Sequence, residues 1–219
     1  LTSYVDFPSF IKIYSMKKIF TLLMFTILVS CNQNNSKPEA VEVSTLNASD
    51  GVYNIENETS YITWTGREVS TSYHYGTINF VSGQFELSGG LISTGEFIVD
   101  MSTIKNDDLP TDFAKNRLET HLKSDDFFSV ESYPTAKISI LDSEIISGGK
   151  WLVSGELTIK SYTHPIQFEI INSMDGWKAD LVFDRSMYDI QFRSGTFFEK
   201  LGDKMIYDDI ELEINLKTL

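Results

Sequence analysis

Three histidines, two carboxylate pairs and one cysteine are the residues of this chain whose types suit chemistry. His74, His121 and His164 are its only histidines. A metal site built on one helix would want them three or four positions apart, or next to cysteines. They stand in three separate segments, with no His-x-x-x-His or Glu-x-x-His pair. The acidic pairs Asp125–Asp126 and Asp208–Asp209 could divide a proton donor and acceptor between them. A capped turn and a solvated strand edge are the stronger readings of those pairs. Nucleophilic catalysis has less support, because no Gly-x-Ser-x-Gly elbow occurs and the lone Cys31 ends an apolar leader. Metal and catalytic residues are therefore expected to be absent, and the chain is read as a non-enzyme.

His121 is the most suggestive of the three. It lies in "RLETHLKSDDFFSVESYP", residues 117–134, among carboxylates and ahead of the adjacent Phe127 and Phe128. Its segment has a period near 3.6, which puts Ala114, Leu118, His121 and Leu122 on one face. Thr111 or Asp112, following Pro110, can cap the start. The spacing predicts one helix over about 111–123, with Ser124 opening a further short turn. An apolar helix face of this kind plugs the end of a sheet structure or packs across its wall. The first reading of His121 is a core histidine bonded to backbone; a polar contact at a cavity mouth comes second and catalysis last. His74 takes the same structural reading, since Gly76 on its face suggests close backbone approach.

Everything else from Tyr53 onward alternates. Ile62 and Trp64 share one face of "SYITWTG"; His74, Gly76, Ile78 and Phe80 share one face of "HYGTINF". In "DIELEINLK", Ile210, Leu212, Ile214 and Leu216 oppose Asp209, Glu211, Glu213 and Asn215. Similar runs cover residues 97–101, 136–140, 151–153, 157–159, 166–170 and 177–183, punctuated by "SGGL", "SGGK" and "MDGW". Many short strands at near-regular spacing predict an all-β sandwich or closed antiparallel barrel.

Charge and the N-terminus bound the partners. The formal net charge is −13. It is more negative without the residues before Cys31, which carry Lys12, Lys17 and Lys18 against Asp6 alone. Such a surface repels phosphate backbones, so no nucleic-acid partner is expected. It also lacks polybasic attraction to anionic lipid. "MKKIFTLLMFTILVSC" has a basic start, an apolar stretch too short to span a bilayer, and a small residue before Cys31. This resembles a bacterial lipobox, which implies a signal peptide over residues 16–30, cleavage before Cys31 and a lipid on its sulfur. Residues 1–15 fit no signal peptide and read as a misplaced start. Residues 31–45, all of which precede the described residues, read as a flexible tether, and a single folded domain over 46–219. The expected location is the periplasm or cell surface of a Gram-negative bacterium, anchored to the membrane by lipid.

Four stretches make the domain recognisable. "HYG" at residues 74–76, "HLKSDDFFSVESYPTA", "GELTIKSYTHPIQF" and "DRSMYDIQFRS" together resemble the YceI-like family, from about Val52 to the C-terminus. The last of these resembles a late Arg-containing strand, with one departure: Asp189 stands where the family often has glycine. The resemblance implies an eight-stranded antiparallel lipocalin-like barrel with one inserted helix. Its apolar cavity would bind a long isoprenoid, such as a polyprenyl chain or quinone tail, with no cofactor. It assigns no catalytic role to His74 or His121.

Alternation then nominates the cavity wall. Trp64, Ile78, Phe80 and Phe97 come from the first half, and Leu118, Leu122, Phe127 and Phe128 from the helix and its turn. Ile140, Leu157, Ile159, Phe168 and Phe183 come from the second half. His74, His121 and Arg185 are polar candidates for a headgroup contact or a structural role. Arg67, Arg117 and Arg193 are the other arginines that could meet a pyrophosphate or quinone carbonyl at a rim. An ordinary ion pair with the abundant carboxylates is the first expectation for each. The leading functional reading is carriage, storage or protection of an isoprenoid lipid. The alternative is a packed barrel contacting an envelope protein or glycan, and a carboxylate-pair hydrolase is third.

Overall fold

The alternating runs form nine antiparallel strands. The computed structural model describes residues 48–219; the expected signal segment, Cys31 and the tether lie outside them. In chain order the elements are β1 (Gly51–Asn54), β2 (Tyr61–Glu68), β3 (Tyr73–Ser88), β4 (Leu91–Asn106), α1 (Asp112–Lys123), β5 (Thr135–Ser147), β6 (Lys150–Ile159), β7 (Tyr162–Ser173), β8 (Gly176–Asp184) and β9 (Ile206–Leu216). Each of β4 to β8 pairs with the next strand, β9 pairs back onto β2, and β3 pairs with both β2 and β4. The sheet therefore closes. β1 lies against the Gln84–Leu87 part of β3, which β2 does not reach, so β1 and β2 share one of eight positions in the ring. Closure leaves little free edge to aggregate. The described residues belong to one compact unit with a closed sheet and its own buried core, which is what a segment needs to fold by itself.

Two breaks in the ladder shape the interior. β4 pairs with β5 only as far as Asp100, then continues along β3 to Asn106. Between Asn79↔Asp100 and Thr77↔Lys105 it bulges, and Asn79 N–H donates to Thr103 Oγ1 at 2.9 Å across the gap. The bulge shifts the alternation by one residue, so that Ile104 faces inward as Met101 does. The opening left between β4 and β5 is filled by α1 and the turn after it. Thr111 caps α1, its Oγ1 accepting from Ala114 N–H at 3.2 Å, as its sequence position suggests. Ser124 N–H donates to the His121 carbonyl and begins the turn that carries Phe127 and Phe128.

The strand map differs from expectation in two places. The runs at 151–153 and 157–159 are one strand, β6, because Ser154 and Gly155 continue the ladder between them. "DRSMYDIQFRS" is not a strand. Arg185–Tyr188 is a 3-10 turn capped by Asp184, whose Oδ1 accepts from Ser186 N–H at 2.8 Å. Asp189 then takes a left-handed conformation (φ 54°, ψ 41°) and bends the chain out of the sheet. Aspartate is among the few non-glycine types that tolerate that region. The residue that departs from the family pattern thus adopts a backbone conformation that glycine would also adopt.

Candidate functional site

The barrel interior has two unlike ends. At one, aromatic rings fill the space: Phe85 meets Trp177 edge-on at 4.8 Å, Tyr53 stacks on Phe85 at 5.1 Å, and Trp151 lies 5.4 Å from Trp177. Phe97 joins Phe85 and Phe80 to this cluster at 6.3 and 6.1 Å. At the other end a cavity of about 140 Å³ remains, with almost wholly apolar walls.

Nine of the thirteen nominated wall residues line this cavity: Trp64, Ile78, Leu118, Leu122, Phe127, Phe128, Leu157, Ile159 and Phe183. Phe80, Phe97, Ile140 and Phe168 also point inward and are buried, but they belong to solid core and do not line it. Alternation assigns a face, while depth depends on position along the strand, about 6.8 Å for each two-residue step. On β6 the same face carries Trp151 and Val153 into the packed end and Leu157 and Ile159 into the cavity. The wall also includes Ile62, Val99, Met101, Ile104, Ala136, Ile206, Ile210 and Leu212. Ile62, Ile210 and Leu212 share faces already visible in the sequence. Met101 continues the alternation of Phe97 and Val99, while Ile104 enters only through the bulge, which no pattern announces.

The wall residues that are only half-buried mark the entrance. Leu118 and Phe128 stand on the helix side; Ile206, Ile210 and Leu212 face them from β9. Arg67, Glu68 and His74 complete the rim. Arg67 is occupied by a two-pronged bond to Glu211, 2.9 Å on each arm. Glu68 is engaged by Ser70 at 3.2 Å and by Arg193 at 3.8 Å. His74 Nδ1–H donates to Asp108 Oδ2 at 2.9 Å. Asp108 Oδ1 accepts from Tyr75 N–H at 3.0 Å and from the Asn106 side-chain amide at 2.5 Å. Burial alone would push the Asp108 carboxyl up. The hydrogen bonds from His74, Tyr75 and Asn106 outweigh it and hold the group below the usual carboxylate range. Asn106 is itself buried and is bound through its N–H to Glu119 of α1 at 2.9 Å.

Arg185 is 1% exposed and lines the cavity floor. Its donors go to the carbonyls of Tyr207, Ile190, Phe192 and Ile206 at 2.9–3.2 Å, and Nη2 lies 3.1 Å from Asp208 Oδ1. Burial lowers its pKa against the opposing pull of Asp208 and Asp184. Asp208 Oδ2 accepts from Ser194 and Thr196 hydroxyls, each at 2.8 Å. With four hydrogen bonds to carbonyls and an ion pair to Asp208, Arg185 clamps the 3-10 turn, the following loop and β9 together. The geometry gives it a structural task.

His121 is one-third exposed and is not bonded to backbone by its ring. Nε2–H donates to Asp126 Oδ2 at 3.2 Å, while the ring meets Phe192 and Phe127 edge-on at 4.5 and 5.0 Å. It stands behind Phe127 and does not line the cavity. His164 Nε2–H donates to the Met187 carbonyl at 2.9 Å. Each histidine thus has a different acceptor, and among the described residues no three His, Cys, Asp or Glu side chains converge to hold a metal. The carboxylate pairs are divided too: Asp126 serves His121 and Asp208 serves Arg185.

The chain belongs to the YceI-like family, whose domain model matches residues 53–218. It is 27% identical over 180 residues to a UPF0312 protein of Photorhabdus laumondii, covering 77% of this chain and 89% of that one. A UPF0312 protein of Shewanella denitrificans is 26% identical over 122 residues, 55% of this chain and 61% of the relative. Among solved structures it is similar to BcnA of Burkholderia cenocepacia, with a TM-score of 0.57 and 15% identity over 74% of this chain and 98% of that one. It is also similar to a polyisoprenoid binding domain from Saccharophagus degradans, with a TM-score of 0.51 and 13% identity over 75% and 95%. At these identities the structural likeness speaks to the fold.

Proposed function

We propose that this YceI-like barrel binds the tail of an isoprenoid lipid or similar long amphiphile in its apolar cavity, and that it carries, stores or shields that lipid. The observation that carries the reading is the cavity itself. Aliphatic and aromatic side chains from the barrel strands and from the helix segment converge on it, and Arg67, Glu68 and Arg185 are engaged by other partners at rim or floor. The polyisoprenoid binding attributed to the Saccharophagus degradans domain supports the same reading.

Size sets the terms. About 140 Å³ compares with apolar cavities of ~150 Å³ that take one benzene-sized guest. The cavity as it stands holds the end of a prenyl tail. A longer tail enters as half-buried Leu118, Phe128, Ile210 and Leu212 give way along the entrance. Each five-carbon unit buried contributes roughly 3–4 kcal/mol gross, against an association cost on the order of 4–15 kcal/mol. Affinity therefore rises with prenyl length and levels off once the tail outgrows the barrel.

The test is native mass spectrometry of residues 46–219 purified from a bacterial host, with organic extraction of whatever is bound. A retained prenyl lipid or quinone, or length-dependent uptake of added prenyl alcohols, supports the reading. A protein that retains none and takes up none overturns it. We further infer that Cys31 is lipidated after export and tethers the barrel to the envelope membrane. Metabolic labelling with a radioactive fatty acid should mark the full chain and not its Cys31→Ser variant.

A further inference from the structure

His74 is a polar group at the cavity mouth with a ring atom left uncommitted. Nδ1 is bound to Asp108, and Nε2 has no hydrogen-bond partner among the described residues. A carboxylate can only accept, so Asp108 fixes the proton of a neutral imidazole on Nδ1 and leaves Nε2 a bare acceptor. The orientation of Asp108 is fixed in turn. Two donors, Tyr75 N–H and the Asn106 amide, both fall on Oδ1, which leaves Oδ2 for the histidine. Glu119 on α1 holds Asn106 from behind. The same helix that walls the cavity therefore braces the acceptor at its entrance.

We propose that His74 reads the headgroup: its Nε2 accepts a hydrogen bond from the bound amphiphile, so the cavity selects prenyl chains ending in a donor, an alcohol or hydroquinol, over chains ending in an ether, aldehyde or quinone carbonyl. Asp108 is the positioning residue that sets this polarity. The proposal rests on the tail-binding reading above and adds a headgroup class to it.

The substitution Asp108→Asn reverses the polarity at one atom. The carbonyl oxygen of the new carboxamide keeps the two donors that Oδ1 accepts, so its nitrogen takes the place of Oδ2 and donates to Nδ1. The imidazole proton must then move to Nε2, and the entrance becomes a donor. The probes are geranylgeraniol, its methyl ether and geranylgeranial, titrated into residues 46–219 at about pH 8. The wild-type protein should bind the alcohol about tenfold more tightly than the ether or aldehyde, the worth of one hydrogen bond. In Asp108→Asn that ratio should fall to about one, because the alcohol oxygen accepts as readily as the others. Nitrogen-15 NMR of the imidazole should show the protonated nitrogen change from Nδ1 to Nε2, a shift that loss of packing does not produce. Equal binding of all three probes by the wild type overturns the headgroup proposal and leaves tail binding standing. A wild-type His74 protonated on Nε2 also overturns it, whatever the variant does. Failure of every probe to bind overturns tail binding and this proposal with it.

Discussion

The two ends of the barrel are built from the same alternating strands and reach opposite results. At the packed end, Tyr53, Phe85, Trp151 and Trp177 meet ring to ring and occupy the whole cross-section. Trp151 Nε1–H reaches the Gly90 carbonyl at 2.8 Å, so that its polar atom does not spoil the core. At the cavity end, Ile, Leu and Met side chains leave the centre unfilled. Order there comes from polar clamps on the periphery, Arg185 with its carbonyls and Asp108 with His74. Close packing and open space thus occupy separate layers of one sheet. A void lined by apolar groups forfeits dispersion contacts, and the ring cluster above and the buried guanidinium below offset that loss.

Substitutions can break or sharpen this division. The largest effect is expected at the floor clamp. Arg185→Met leaves Asp208 buried without its cation and strips donors from four carbonyls, which should cost about 3–5 kcal/mol in a urea melt of residues 46–219. Trp177→Ala removes the central ring of the packed end and should cost about 3–4 kcal/mol. If either variant melted like the wild type, the layer it belongs to would not hold the barrel.

Tyr188 sharpens the comparison on the cavity side. It is buried against Phe183 and His164, and burial, helped by Asp184, pushes its pKa up to about 12. The folded protein keeps the proton that an unfolded tyrosine releases near pH 10. Its contribution to stability is thus intact below pH 10 and is lost as pH rises toward 12, by roughly 2–3 kcal/mol at most. Melts at about pH 9 and about pH 11.5 should converge in Tyr188→Phe relative to the wild type.

The smallest stability effect separates the two ends most cleanly. Val153 and Leu157 lie on the same face of β6, one in each layer. Val153→Phe overfills a closed core and should cost about 1–3 kcal/mol. Leu157→Phe grows into available space and should cost less than about 1 kcal/mol, yet it should block uptake of prenyl alcohols. Equal stability costs at the two positions would show that the cavity does not accept added volume.

Much of this was legible in the chain. Period-two runs gave the strand faces, and the 3.6-residue period with Thr111 gave the helix within a residue of its bounds. The late segment misled because its resemblance was to an Arg-containing strand. Three local facts override that pattern: the Asp184 cap, the left-handed Asp189, and the pull of Arg185 on the Ile190 and Phe192 carbonyls. Asp108 was invisible, since nothing in "KNDDLP" says which carboxylate will meet a histidine thirty-four positions earlier. Gly76 was readable as a close approach, and the structure supplies the reason: a methyl group there would overlap the Lys105 carbonyl of the neighbouring strand.

By itself the sequence determined the all-β class, the two faces of each strand, the helix and the acidic charge, because each follows from local periodicity or composition. Only the tertiary structure decided which inward residues fill the barrel and which surround a cavity. That choice depends on depth along each strand, on where β4 parts from β5, and on which distant side chains close over the gap. These are properties of the closed ring, in which residues far apart in sequence occupy one cross-section, and no single segment contains them.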